Sequence, residues 1–376
     1  MASPSPHHRH QSSLERILNF SPPARLTATH LAQAKSLFYR IIDHFSTPGD
    51  ISSRPYKRPL LVRYTYEYAR SETSRETFLC AFFDSMELNV ADDELIHISW
   101  DDKGLEDKLR LALIEFSDFL FDNFYLPRCV AKEYVVKTSS KRTPQPSPAQ
   151  LPAVQRALGG TQDYAGTPAR ISTLRALCLI RDRNARDEEG NPLLGQPLDL
   201  LEVAHILPHA LMGGNRDLEL PGSKGAALAI LDMFDNGVTH LISGPEIDRP
   251  FNAISLAAAL HDFFGNFSIF FEPVLDQQPH TYRIDTFLPV GLIQGLPVTR
   301  TLYITDDRTI DPPLPRLLAI HNAVGHILHL SAAGEYIDKV LSDSERVTQQ
   351  DGSTELGRLA SLRLGGWYDG TVDALT

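Results

Sequence analysis

Cysteine is nearly missing from this chain. Three residues, Cys80, Cys129 and Cys178, lie far apart among 376. That excludes a disulfide framework and a C-x-x-C zinc knuckle. It suits a reducing compartment, so a nuclear or cytoplasmic protein with three buried structural thiols is expected. Long apolar runs are missing too. No stretch reaches the roughly 20 residues that cross a bilayer, so no membrane partner is expected. No cationic region followed by an apolar one opens the chain, which argues against a secretory signal. Excess positive charge is also lacking: the net charge is −11 and the pI about 5.7. A protein that coats nucleic acid draws on clustered Lys and Arg, so any nucleic-acid contact here must be a local patch.

What is present is an ordinary globular composition, 42% hydrophobic and 22% charged, with enough chain for two or three domains. Residues 1–25 are Pro/Ser/His-rich and read as a disordered tail; its His7, His8 and His10 belong to that tail and not to a metal tract. Residues 26–130 read as a helical domain. Thr27 caps an amphipathic run with Leu31, Ala34, Leu37, Phe38, Ile41 and Ile42 on one face. Arg58–Arg70, Glu76–Leu88 and Leu105–Tyr125 continue the pattern. The stripe Phe116, Phe119, Phe121 and Phe124 has helical spacing and is read as core. Residues 131–152, rich in Ser, Thr and Pro, form a linker. Residues 153–343 form the second domain and 344–376 a polar tail, in which Trp367 and Tyr368 are the residues expected to make a contact.

The second domain mixes helices and short strands, so the fold class is α+β. Thr167–Arg183 reads as a helix with Ile171, Leu174, Leu177 and Ile180 inward. It also carries Arg175, Arg181 and Arg183, either a solvated face or a nucleic-acid contact. Strands are expected at Asp199–Leu207, Ile254–Leu256, Ser268–Glu272, Tyr282–Phe287 and Thr301–Thr305. Helices are expected at Ala226–Phe234, at Ala257–Phe264, and over Pro315–Leu341 with a break near Ser331–Gly334. His321, His326 and His329 on that last segment are read as packing or surface residues.

The organising stretch is Leu201–Glu272. It places His205 on a strand, Asn252 on a turn and His261 on a short helix. Hydrolysis of a phosphodiester requires a base to deprotonate water and a cation to offset charge on the phosphate and leaving oxygen. A strand His, an oxygen that holds its ring and a helical His make such a site possible.

The segments AHILP and IDRPFNAISL, with His261 nine residues after Asn252, resemble the HNH endonuclease family of ββα-metal nucleases. A wider resemblance, over Ser172–Asp343, is to HNH-domain proteins of filamentous fungi. The resemblance implies a ββα-metal module with extra strands and C-terminal helices, following a mainly helical N-terminal region. It implies His205 as general base, Asn252 as its orienter and His261 as ligand to a divalent metal, Mg²⁺ first, with Zn²⁺ or Mn²⁺ as alternatives. DNA is the implied substrate.

Two positions depart from the family. Ala204 stands where a metal-binding Asp or His often precedes the base, and Gly265 stands where a third ligand often follows. Strand alternation puts Glu202 on the face of position 204, so Glu202 is the expected substitute ligand. Asp262 is about 100° round the helix from His261 and replaces it poorly; Asp248 is either a contributor or a turn cap. Asn184–Gly190 replaces a Cys-bearing strand of relatives, and Asn215 is a rival to Asn252 that lies too far from His261. The gaps keep a second reading open, a catalytically impaired nucleic-acid-binding or scaffold protein.

Overall fold

Thr27 opens the first helix by accepting the backbone N–H of His30 on its Oγ1, a side-chain cap at 3.2 Å. A computed structural model describes residues 26–47, 49–91, 98–129, 168–182, 201–212, 222–303, 305, 309–345, 358, 362 and 367. The N-terminal tail, the linker, Arg183, Asn184–Gly190, Asn215 and Tyr368 lie outside the described residues. In chain order the elements are α1 (Ala28–Phe45), α2 (Arg58–Glu67), α3 (Glu72–Ser85), α4 (Lys103–Leu120), α5 (Pro168–Arg181), β1 (Leu201–His205), α6 (Gly222–Phe234), β2 (Ala253–Ala257), α7 (Ala258–Gly265), β3 (Ile269–Pro273), β4 (Thr281–Thr286), β5 (Val298–Thr301), α8 (Pro315–Leu330) and α9 (Ala333–Glu345). The fold is α+β, and among the described residues no helix is long and apolar enough to cross a membrane.

The chain divides into two compact units. The first comprises Met1–Leu126, Gly225–Thr239 and Ile327–Arg358. Its core is aromatic. Phe38 packs against Tyr66, Phe78 and Phe82, and Phe116 closes on Phe78 and Phe82, all in tilted or edge-to-face geometry. Phe116, Phe119, Phe121 and Phe124 are buried, as their spacing requires. Arg58 forks onto Asp118 at 2.8 and 3.0 Å. Most of α6 counts with this unit. Phe234 accepts from the N–H of Arg70, and Ser74 Oγ accepts from the N–H of Asn236. Part of the insert between β1 and β2 therefore folds with the N-terminal helices.

The second unit comprises Pro127–Lys224, His240–His326 and Leu359–Thr376. Strands β1 and β2 pair antiparallel, with Glu202 opposite Leu256 and His205 opposite Ala253. Helix α7 follows β2 directly, completing a ββα unit. A second sheet has the order β3-β4-β5. The third strand is Val298–Thr301 and not Thr301–Thr305, because pairing with β4 sets it: Thr301 sits opposite Thr281, with their hydroxyls 2.8 Å apart. Trp367 is buried, with the Lys224 ammonium 5.6 Å from its ring centroid.

Helix α5 turns a different face inward from the one its apolar spacing suggests. Leu174 and Cys178 pack with Val203 and Ala253, while Ile171 and Ile180 are exposed. The buried face runs 174, 178, 181, and its third member is a charged residue. Arg181 is fully buried. Its guanidinium donates to the carbonyls of Pro250, Ala253 and Asp311 at 2.7, 3.0 and 3.2 Å and forks onto Asp182 at 2.6 and 2.9 Å. Every hydrogen bond it loses on leaving water is replaced here, which is the condition for burying a cation. Of the three cysteines, Cys129 and Cys178 are buried and Cys80 is half-buried.

Arg181→Ala will lower unfolding free energy by about 3 kcal/mol or more in urea titrations, since it strands three carbonyls and a carboxylate. A change within about 0.5 kcal/mol, the range of an ordinary surface substitution, would refute the anchoring role. Burial pushes the Cys178 thiol up to about 12. At pH 8 it will therefore resist iodoacetamide in the native protein and label only after denaturation.

Candidate active site on the strand pair

Asn252 sits at the end of a short 3₁₀ turn, Pro250–Asn252, and is fully buried. Its Nδ2 donates to the carbonyls of Leu207 and Ile247 at 2.9 and 2.8 Å, and its Oδ1 accepts the N–H of Leu207 at 2.9 Å. Its own carbonyl accepts the N–H of Ile206 at 2.8 Å. Both amide protons are thus committed to backbone. Asn252 was expected to orient His205; its side chain instead ties Leu207, two residues beyond His205, to Ile247.

The group at the His205 ring is instead Asp248. Its Oδ1 lies 3.2 Å from His205 Nε2. Its Oδ2 lies 3.6 Å from Nε of Arg170, whose Nη2 donates to the carbonyl of Pro245 at 2.7 Å. The Asp248 side chain is completely buried, and that of His205 is 9% exposed. His209, also buried, stands with its ring centroid 5.3 Å from that of His205. Neither Arg170 nor His209 stands out in the sequence. Arg170 is one of several arginines on a helix, and His209 lies in a stretch that reads as a turn.

Glu202 meets His261: Oε2 is 2.6 Å from Nδ1. The antiparallel register explains this. Helix α7 begins where β2 ends, beside the start of β1, so its first turn comes back to Glu202 and not to His205. The end of α7 is pinned. Ser268 donates to the carbonyl of Phe263 and Phe267 to that of Phe264, a closure that puts Phe267 at φ 62°. That region costs a bulky side chain about 1 kcal/mol. It is offset by burial of the Phe267 ring, stacked on His321 at 4.6 Å, while His321 Nε2 lies 2.9 Å from the carbonyl of Phe264.

The arginines of α5 face inward. Arg181 is consumed inside the unit, so the nucleic-acid contact expected of it is corrected: a side chain with no exposure meets no phosphate. Arg175 is half-buried, with Nη2 3.4 Å from the carbonyl of Leu201. Ala204 is buried and offers no donor; Gly265 is buried at the end of α7. Among the described residues, no group of three or more His, Cys, Asp or Glu forms a metal cage.

Residues 178–272 match the family model described as HNH endonuclease. The match spans about a quarter of the chain and coincides with the strand pair and α7, so the chain carries an HNH domain there. It ends at residue 272 and gives no support to the wider likeness to fungal proteins. No curated protein and no solved structure matches the chain.

Asn252→Ala will cost about 3 kcal/mol of stability by leaving the buried Leu207 amide and the carbonyls of Leu207 and Ile247 unmet. Asn252→Asp will fare little better, because a carboxylate would face two carbonyls. Chemical denaturation of both variants checks this, and wild-type stability in Asn252→Ala would refute it.

Proposed function

We propose that this protein is a metal-dependent endonuclease of the HNH type that hydrolyses phosphodiester bonds in DNA. The observation that carries the reading is the Glu202–His261 pair on the ββα unit, 2.6 Å apart, with His205 further along the same strand. Glu202 was expected to replace the missing ligand at position 204, and it meets the residue expected to share that ion.

With the proton shared by Glu202 Oε2 and His261 Nδ1 released, the donor set suits a divalent cation held by two residues, one carboxylate oxygen and one imidazole nitrogen. Glu202 and His261 would hold it, and the ion would supply Lewis-acid stabilisation of charge on the phosphate. Mg²⁺ suits a site with few protein ligands, because it keeps several waters; Mn²⁺ and Zn²⁺ are the alternatives. His205 takes the proton from water. Asn252 holds the backbone beyond His205 in place. Any contact between α5 and DNA falls to Arg175, since Arg181 is buried.

A second reading has its own support. Position 204 is alanine and position 265 glycine, and the described arginines of α5 bond within the unit. Those features suit an HNH-fold protein that binds nucleic acid, or scaffolds, without cutting.

Plasmid nicking with Mg²⁺, Mn²⁺ or Zn²⁺ separates the two. His205→Ala is expected to lose at least about a hundredfold in rate with its fold intact. Glu202→Gln and His261→Ala will raise the metal concentration needed for half-maximal rate by about tenfold or more. Absence of cleavage with all three ions would abandon the nuclease reading for the second.

A further inference from the structure

We propose that Asp248, held ionised by Arg170, is the positioning residue of His205. It would fix the imidazole with its proton on Nε2 and its lone pair on Nδ1, so that Nδ1 is the atom that accepts a proton. The role of that lone pair in catalysis rests on the nuclease reading; the tautomer does not.

The argument begins with burial. A carboxylate with no exposure stays ionised only beside a compensating charge. Arg170 supplies it, 3.6 Å from Oδ2, and is itself steadied by the carbonyl of Pro245. The ionised Asp248 can only accept hydrogen bonds. Its other oxygen lies 3.2 Å from His205 Nε2, so that nitrogen is the one that carries hydrogen. A neutral imidazole has one N–H, and Nδ1 then bears the lone pair. Arg170 offsets the charge of Asp248 at 3.6 Å. His209, with its ring centroid 5.3 Å away, is another titratable group against the ring.

Three elements build this arrangement. Arg170 comes from α5, Asp248 from the 3₁₀ turn Gly244–Asp248, and His205 from the end of β1. The plainer role for Asp248 is to tie that turn to α5 through Arg170. Such a tie would need the carboxylate but would set no tautomer at His205.

The test is nitrogen NMR of the full chain labelled with ¹⁵N-histidine. The His205 signals are identified as those lost in His205→Gln. The expected result at pH 8 is a protonated, pyrrole-like Nε2 and a pyridine-like Nδ1. Asp248→Asn should convert this to the opposite tautomer or to a mixture. The reverse tautomer in the wild type, or an unchanged one in Asp248→Asn, would overturn the proposal. Should Asp248→Asn fail to fold, Asp248→Ala, which removes the acceptor altogether, is read in its place with the same two outcomes. On plasmid DNA, Asp248→Asn should lower kcat about a hundredfold while KM stays within about threefold. A loss confined to KM would also overturn it. A protein that cuts no DNA would end the nuclease reading, while the tautomer seen by NMR would still decide the role of Asp248.

Discussion

The side-chain amide of Asn252 is the contact on which the site depends. Two donors and one acceptor on a rigid plane reach the backbone at Leu207 and at Ile247. Those two points are far apart in the chain, and closing them brings the end of β1 beside the turn that carries Asp248. Part of the intervening insert folds with the first unit. A hydroxyl or a carboxylate could not serve in its place, since neither offers two donors and an acceptor in one plane.

A two-stranded sheet of five residue pairs is marginal by itself. Here it is braced from two sides. On one side α5 packs Leu174 and Cys178 on Val203 and Ala253, and Arg181 donates to carbonyls at the start of β2 and in the turn before it. On the other, α7 returns His261 to Glu202, and its own end is locked through Phe267 and His321. Cations with the sequence pattern of a nucleic-acid patch are therefore part of the frame.

The ββα outline was legible in the sequence: the order His205, Asn252, His261 falls on β1, a turn and α7. The period of a strand put Glu202 on the face of position 204, and in the fold Glu202 meets His261. Three things were not legible, each for a physical reason. The inward face of α5 includes Arg181, and a count of apolar positions passes over a charged residue: it finds Leu174, which is buried, but adds Ile171 and Ile180, which are exposed. The carbonyls that Arg181 meets lie 69 to 130 residues away, which no local pattern reports. The strand β5 is displaced by about three residues from its expected place, because β-prone composition in TLYIT says nothing of register, which cross-strand contact with β4 decides. Asp248 has the local pattern of a turn residue; that it reaches His205 depends on the closure made by Asn252.

Strand parity then divides the chemistry. Glu202 and Ala204 point to one face of β1, Val203 and His205 to the other. Val203 packs with α5 and Glu202 meets α7, so the two faces are occupied by different helices. In a site with a ligand at position 204, cation and base would stand on adjacent residues. With the carboxylate at position 202 it stands three residues from His205, about 10 Å of strand. The Glu202–His261 pair and the His205–Asp248 pair then have separate supports: one hangs on the seating of α7, the other on Asn252 and Arg170. Damage to either leaves the other's packing in place. On the proposed reading the Glu202–His261 pair would serve the cation and the His205–Asp248 pair the proton, so a variant at either pair tests that half of the reading.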